Sequence, residues 1–241
     1  MGTLSPITLL DAVGSTNDEA LALGRTGAPH GSAVAARTQT AGRGRRGHAW
    51  ESPRGNLYLS VVLRPAVAPS RMPGLSAACG LGATDVLRAA QLKWPNDLLA
   101  QGRKLAGILV EAARDGRETF AVCGIGVNVE QAPRELGAIS LAELGDAPSF
   151  LPLAEALRDA VVSRVDAWAA ADGERPLDGI RNDYLTRLAW LGEKVSALAA
   201  ADGAELARGV LETVDPWGRA VVDGVPYAAE RASLRPLRCH V

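Results

Sequence analysis

Lysine is nearly missing from this chain. Of its 26 basic residues only Lys93, Lys104 and Lys194 are lysine, and the other 23 are arginine. A compact ammonium retained against such a bias marks a place that a guanidinium fork cannot serve. Aromatic residues make up only 4% of the sequence. Three cysteines, Cys79, Cys123 and Cys239, lie far apart and form no C-x-x-C, which excludes a disulfide framework and a zinc knuckle. They read as buried or incidental thiols. No run of about 18 apolar residues occurs, and the start lacks a basic n-region, which excludes a membrane-spanning helix and a secretory signal and predicts a cytoplasmic protein. The formal net charge of −1 excludes general attraction to nucleic acid or anionic membrane, so any basic site is local. His30, His48 and His240 lack metal-ligand spacing, and no paired-carboxylate motif is present. With no G-x-S-x-G and no G-x-x-x-x-G-K-[ST], a bound nucleotide requires a non-Walker site.

What is present is an ordinary folded composition, 47% hydrophobic and 22% charged over 241 residues. Thr16-x-x-Glu19 fits a capping box opening a helix that runs to Gly24. "GSAVAARTQ" reads as a strand, and "NLYLSVVLRP" as a second, ended by Pro65. Residues 75–90 are predicted helical. "LKWPNDLLAQGRKLAGILVEA" reads as strand, Pro-Asn-Asp turn and hairpin turning at Gln101-Gly102. "TFAVCGIGVNVE" reads as an apolar strand interrupted by a Gly-rich bend. Helical spacing of Leu153, Leu157, Val161, Val165 and Trp168 predicts a long helix over 149–171, and a second spans about 177–188. From about Leu191 short strands separated by Asp-Gly and Pro-Trp-Gly turns suggest a small β barrel or sandwich after a larger α+β domain. The expected division is 1–190 and 191–241.

Three stretches concentrate functional groups. Gly42-Arg43-Gly44-Arg45-Arg46-Gly47 spells the dinucleotide fingerprint G-x-G-x-x-G, which needs a following helix. Here "HAWESPRGN" follows, and Pro53 and Gly55 oppose a helix. The loop instead offers permissive glycine backbone and guanidinium forks suited to phosphate or carboxylate. A solvated basic loop or an RNA-contacting segment remains the plainer alternative. In "KWPNDLL" Lys93 and Asp97 bracket a turn, although Pro-Asn-Asp is also good turn chemistry and Trp94 can be core. Lys104 returns along the hairpin amid "LAGILVEA", where an ammonium requires an anionic partner. Gly107 leaves room for a ligand or backbone to approach. Gly124, Gly126 and Asn128 in "GIGVN" fit a bend or a binding edge.

Taken in order, "STN" at 15–17, "QTAGRGRRG" at 39–47, "KWPND" at 93–97, "KLAGIL" at 104–109 and "GIGVN" at 124–128 resemble the biotin protein ligases. The resemblance covers essentially the whole chain. It implies a class II aminoacyl-tRNA synthetase-like mixed sheet with helices, plus a C-terminal SH3-like β barrel. It also implies two half-reactions: biotin and ATP give biotinyl-5′-AMP and pyrophosphate, and a lysine of a biotin carboxyl carrier domain then takes the biotin. By the same resemblance Lys104 and Arg45 are catalytic. Ser15, Thr16, Asn17, Gln39, Gly42, Arg43, Gly44, Arg45, Lys104 and Gly107 fall on the biotin side. Arg43, Arg45, Arg46, His48, Trp50, Lys93, Asn96, Asp97, Asn128 and Arg235 fall on the ATP side, with Trp50 at an adenine-stacking position. Mg²⁺ would arrive on the ATP phosphates, with Asp97 as its one candidate protein contact.

The chain departs from the family pattern twice. His48 stands where many relatives have another arginine, and the motifs begin at Ser15, leaving no room for the helix-turn-helix domain that many relatives carry. The expectation is therefore an enzyme that is not a DNA-binding repressor. A homodimer is common among relatives, but no residue pattern here establishes one. The alternatives are lipoate or octanoate ligase or transferase chemistry on the same scaffold, and a catalytically silent biotin sensor or RNA-contacting protein.

Overall fold

A computed structural model describes residues 4–116, 118–146 and 148–237; Cys239 and His240 lie outside them. Strands β1 (Thr8–Leu10), β2 (Ala33–Ala36), β3 (Leu57–Leu63), β4 (Gln91–Lys93), β5 (Asp97–Ala100), β6 (Arg103–Arg114) and β7 (Thr119–Val127) form a mixed sheet in the order β1-β2-β3-β7-β6-β5-β4. Only β1 and β2 pair in parallel. The sequence expectations missed β1, which is too short to carry a pattern. The hairpin between β5 and β6 turns at Gln101-Gly102 as expected, with φ of 50° and 71°. Both angles are positive, as a tight primed turn needs.

Helices cover both faces of this sheet. One face carries α2 (Leu75–Val86) and α3 (Phe150–Ala170), whose Leu81, Leu157, Val161 and Trp168 join Leu57, Leu59, Val61, Cys123 and Ile125 in the main core. The other face carries α1 (Thr16–Arg25), where Ala20 and Leu21 pack with Val34, Val62, Phe120 and Val122. Every residue of β3 is buried, because its strand is covered on both sides. Among the described residues no helix is long and apolar enough to cross a membrane.

The last strands are β8 (Lys194–Ala199), β9 (Glu205–Val214), β10 (Ala220–Val222), β11 (Val225–Tyr227) and β12 (Ala232–Pro236). They form a second sheet in the open order β11-β10-β9-β8-β12. The expected barrel is thus not closed by strand pairing, since β11 and β12 remain as edges. Val195, Leu211, Val222 and Leu234 of this sheet belong to the same continuous core as the first.

Local readings are corrected in four places. The capping box at Thr16 does not form: Ser15 occupies the N-cap position without a side-chain cap bond, and Thr16 turns its hydroxyl to Gln39 at 3.0 Å. The stretch 124–126 is not a bend, because Gly124 and Gly126 continue the ladder of β7 with β3 and β6. The helix expected over 177–188 is confined to α4 (Arg181–Thr186). "PYAAERASL" is divided between β11 and β12 by a turn.

Candidate functional site

The α1 face of the large sheet carries a floor of glycines. Cross-strand register places Tyr58, Gly126, Gly107 and Asp97 in one row and Ser60, Gly124 and Leu109 in the next. Residues directly opposite in antiparallel strands share a face, so three neighbouring glycines leave a depression in the middle of the sheet. Over it lies a cavity of about 290 Å³, walled by the start of α1, the 39–50 loop and the Pro95–Asp97 turn. A side chain on Gly126 would run into the Trp50 indole at 2.6 Å, and one on Gly107 would meet the same ring at 2.8 Å. A side chain on Gly124 would strike Asn17. The glycines of "GIGVN" are therefore present for packing against site residues, not for bending the strand.

One wall is a hydrogen-bonded cluster at the beginning of α1. Gln39 accepts at Oε1 from both the backbone N–H (2.8 Å) and the hydroxyl of Thr16, and its Nε2 donates to Ser52 Oγ at 2.9 Å. Its amide orientation is thereby fixed from both ends. Ser60 Oγ donates to Asn17 Oδ1 at 2.6 Å and lies 2.8 Å from Thr16 Oγ1. Ser15, Thr16 and Asn17 are all buried and line the cavity. Tyr58 closes the floor and donates its hydroxyl to the Pro53 carbonyl at 2.7 Å. Burial pushes its phenol upward, so it remains a donor near neutral pH.

The opposite wall is ionic. A β-bulge between Leu98 and Leu99 shifts the β5–β6 register, so that Leu99 faces Lys104 while Asp97 faces Gly107. Lys104, three residues from Gly107, would otherwise point to the opposite face. Its Nζ lies 2.7 Å from Asp97 Oδ1 and 5.0 Å from the centre of the Trp50 ring. Lys93 Nζ holds the other Asp97 oxygen at 3.1 Å. Burial raises the Asp97 carboxyl, but the two lysines outweigh it and hold the carboxyl below its ordinary value.

The arginines of the 39–50 loop divide into two kinds. Arg43 is bidentate to Asp18 at 2.7 and 2.6 Å and lies 3.5 Å from Glu111. Its guanidinium holds its proton more tightly than usual, chiefly through the Asp18 bond. Arg45 instead donates to neutral acceptors, Asn96 Oδ1 at 3.2 Å and the Ala229 carbonyl at 2.9 Å. Burial and then neighbouring Arg46 lower its proton affinity, although it remains cationic. Arg46 donates to the same carbonyl at 2.7 Å and holds a left-handed φ of 59°. Such a backbone is strained for a residue other than glycine. Two guanidinium groups meeting at one carbonyl form a cationic rim suited to an anion.

Of the residues expected from sequence, Ser15, Thr16, Asn17, Gln39, Arg43, Gly44, Arg45, Arg46, His48, Trp50, Lys93, Asn96, Asp97, Lys104 and Gly107 all line this cavity. Gly42 stands behind it, where a side chain would meet Gln39 Nε2 at 2.9 Å. Asn128 is buried behind Lys104, donating to its carbonyl at 3.2 Å and to that of Ile139 at 3.3 Å. Arg235 is exposed on β12 and does not line the cavity, whereas Ser233 does. Sequence reasoning missed Tyr58, Ser60, Leu109 and Glu111. Strand alternation could have found them, because Gly107, Leu109 and Glu111 share one face of β6. Ser52 carried no signal. Trp94, which the sequence allows as a core residue, is buried in the main core and also lines the cavity, donating from Nε1 to the Gly218 carbonyl at 2.9 Å. That bond ties the Pro95–Asp97 turn to the second sheet.

Residues 10–128 match the sequence profile of the Biotin/lipoate A/B protein ligase family. The chain is 37% identical over 224 residues to a biotin–acetyl-CoA-carboxylase ligase of Mycobacterium tuberculosis, covering 87% of this chain and 80% of that protein. It is 36% identical over 229 residues to the ligase of the same name from Paracoccus denitrificans, covering 90% and 93%. Among solved structures it resembles the biotin protein ligase of Aquifex aeolicus in complex with biotin and ATP. The TM-score is 0.81 at 26% identity, over 97% of this chain and all of the other.

Proposed function

Because this chain belongs to the biotin/lipoate A/B protein ligase family, we propose that it is an ATP-dependent biotin protein ligase acting on acetyl-CoA carboxylase. In the first half-reaction the biotin carboxylate attacks the α-phosphorus of ATP, forming biotinyl-5′-AMP and releasing pyrophosphate. In the second, a lysine amine of the carrier domain attacks the acyl carbon and AMP leaves. The observation that carries this reading is the ion-paired Lys104 beside the glycine floor, facing a loop whose Arg45 donates to the neutral Asn96 amide and Ala229 carbonyl.

Biotin lies, in this reading, on the uncharged wall of Ser15, Thr16, Asn17 and Gln39. The Ser15 hydroxyl makes no cap bond and serves the ligand instead. ATP lies toward Arg45, Arg46, Lys93 and Asn96, with Trp50 between the two parts and its ring available to adenine. Lys104 stands where carboxylate and α-phosphate meet. Its charge and that of Arg45 stabilise the phosphorane more than the separated anions, because negative charge concentrates there in the transition state. Arg45 and Arg46 then hold the 39–50 loop over the adenylate and keep water from the anhydride.

Mg²⁺ would arrive on the ATP phosphates; the two Asp97 oxygens each meet a lysine, Lys104 and Lys93, so Asp97 would reach the ion only by exchanging one of these partners. Among the described residues no group of three or more His, Cys, Asp or Glu side chains could hold a metal. The division at 190/191, an SH3-like second domain, a synthetase-like first domain and a cytoplasmic location complete the proposal.

Pyrophosphate exchange measured with biotin, lipoate and octanoate offered separately tests it. Exchange with biotin is expected. Exchange with lipoate alone would establish the rival acyl chemistry, and exchange with none would favour a silent sensor.

A further inference from the structure

Glu111 belongs to none of the motifs, yet its carboxylate touches both the α1 wall and the 39–50 loop of the site. Its Oε2 accepts from Asn17 Nδ2 at 2.6 Å and lies 3.5 Å from the Arg43 guanidinium. We propose that Glu111 is a positioning residue for binding of the carboxylic-acid substrate: it fixes the Asn17 amide in one orientation and anchors the 39–50 loop through Arg43. This rests on the acid-activating reading of the site given above.

The geometry leaves Asn17 a single arrangement. An ionised carboxylate only accepts hydrogen bonds, so the Asn17 amide nitrogen must face Glu111. The amide oxygen is then turned to Ser60, which donates to it at 2.6 Å. A flipped amide would set its oxygen against the Glu111 carboxylate, which has no proton to give it. Gly124 leaves the space in which this amide sits. Since Asn17 opens the helix that forms the biotin wall, its orientation sets which groups the acid meets.

Arg43 distinguishes Glu111 from a purely local support. Asp18 holds its fork bidentately on the outer side, and Glu111 meets it from the sheet side. Removal of Asp18 loosens the loop but leaves Asn17 held. Removal of the Glu111 charge disturbs both. Ser60 bonds to both Asn17 and Thr16, and not to Arg43.

Pyrophosphate exchange and adenylate release from the whole protein separate these roles, with thermal melting as the check on folding. Glu111→Gln is expected to raise KM for biotin about tenfold or more, the scale of a lost charge-assisted hydrogen bond. The KM for ATP should hold within about twofold, and kcat should fall less than the biotin KM rises. Asp18→Asn should speed release of preformed adenylate while leaving the biotin KM near wild type. Ser60→Ala, which removes bonds to both Asn17 and Thr16, should raise the biotin KM without changing adenylate release. Glu111→Asp, which keeps the charge but shortens its reach to Asn17, carries the test if Glu111→Gln does not fold. A biotin KM within about twofold of wild type in Glu111→Gln, or in Glu111→Asp where the first does not fold, overturns the role of Glu111 and leaves the ligase reading standing. Wild-type exchange with lipoate in place of biotin overturns the substrate, and the Glu111 effect is then read on the KM for that acid. No exchange with any acid overturns both.

Discussion

The ammonium of Lys104 lies 2.7 Å from the carboxylate of Asp97, across a strand pair whose register slips by one residue between them. That slip puts Lys104 on the same face as Gly107, beneath the Trp50 ring. Lys104→Ala should therefore lower the rate of adenylate formation by about 10²–10³ or more, the usual effect of losing a group aimed at transition-state charge. Lys104→Arg should not restore it, because the wider fork has no equivalent place between Asp97 and Trp50. Pyrophosphate exchange at saturating biotin and ATP measures both. Near-normal exchange in Lys104→Ala would refute its role.

The same ion pair makes stability depend on acid. The folded carboxyl of Asp97 releases its proton more readily than an ordinary aspartate, whose value is 3.8. The unfolded chain consequently binds that proton more tightly, and the pair's contribution is complete above pH 3.8. It is lost as pH falls through the lower folded value. Urea unfolding from pH 7 to pH 2 should show wild type more stable than Asp97→Asn at the upper end, with the two converging in acid. A constant difference across the range would contradict this.

Arg45 reaches across to Asn96 and to the Ala229 carbonyl of the second sheet. Arg45→Gly removes both attachments and adds freedom to the loop backbone. The expected result is faster loss of biotinyl-5′-AMP, by about tenfold, with a much smaller change in Tm. Stopped-flow release or hydrolysis of preformed adenylate provides the measurement, and an unchanged lifetime would mean that this loop does not cover the intermediate.

The two central glycines of β7 should fail in different ways. Gly126→Ala pushes against the Trp50 indole, and Gly124→Ala against the Asn17 amide. Each overpacks a filled site and should lower stability by about 1–3 kcal/mol. Gly126→Ala is expected to raise chiefly the KM for ATP, and Gly124→Ala chiefly that for biotin. Equal effects of both on both substrates would show that Trp50 and Asn17 do not serve separate halves of the cavity.

Much of the site was legible because its chemistry is local and unusual. "GRGRRG" could not be a dinucleotide turn once Pro53 and Gly55 followed it, and β3 indeed begins at Leu57 with no helix between. The retained lysines Lys93 and Lys104 do meet, on the two oxygens of one carboxylate. The capping box was misread because the same hydroxyl has two uses. Thr16 could cap its helix or orient Gln39, and only the folded neighbour decides. The second sheet was legible as short strands with sharp turns, but closure of those strands depends on pairing between residues distant in sequence.

The amino-acid sequence by itself determined the residue types on which the chemistry rests: two lysines and an aspartate within twelve residues, glycines on a buried strand, and an arginine loop that no α-helix directly follows. Their order carries the family. Only the tertiary structure decided how they are used. Register sets which side chains share a face, and the bulge opposite Leu99 brings Lys104 to the side of Gly107. Packing of α1 on that face brings Asn17, Ser60 and Glu111 together from positions 43 to 94 residues apart. Alternation along one strand is local, but the neighbour across a sheet is chosen by the whole fold.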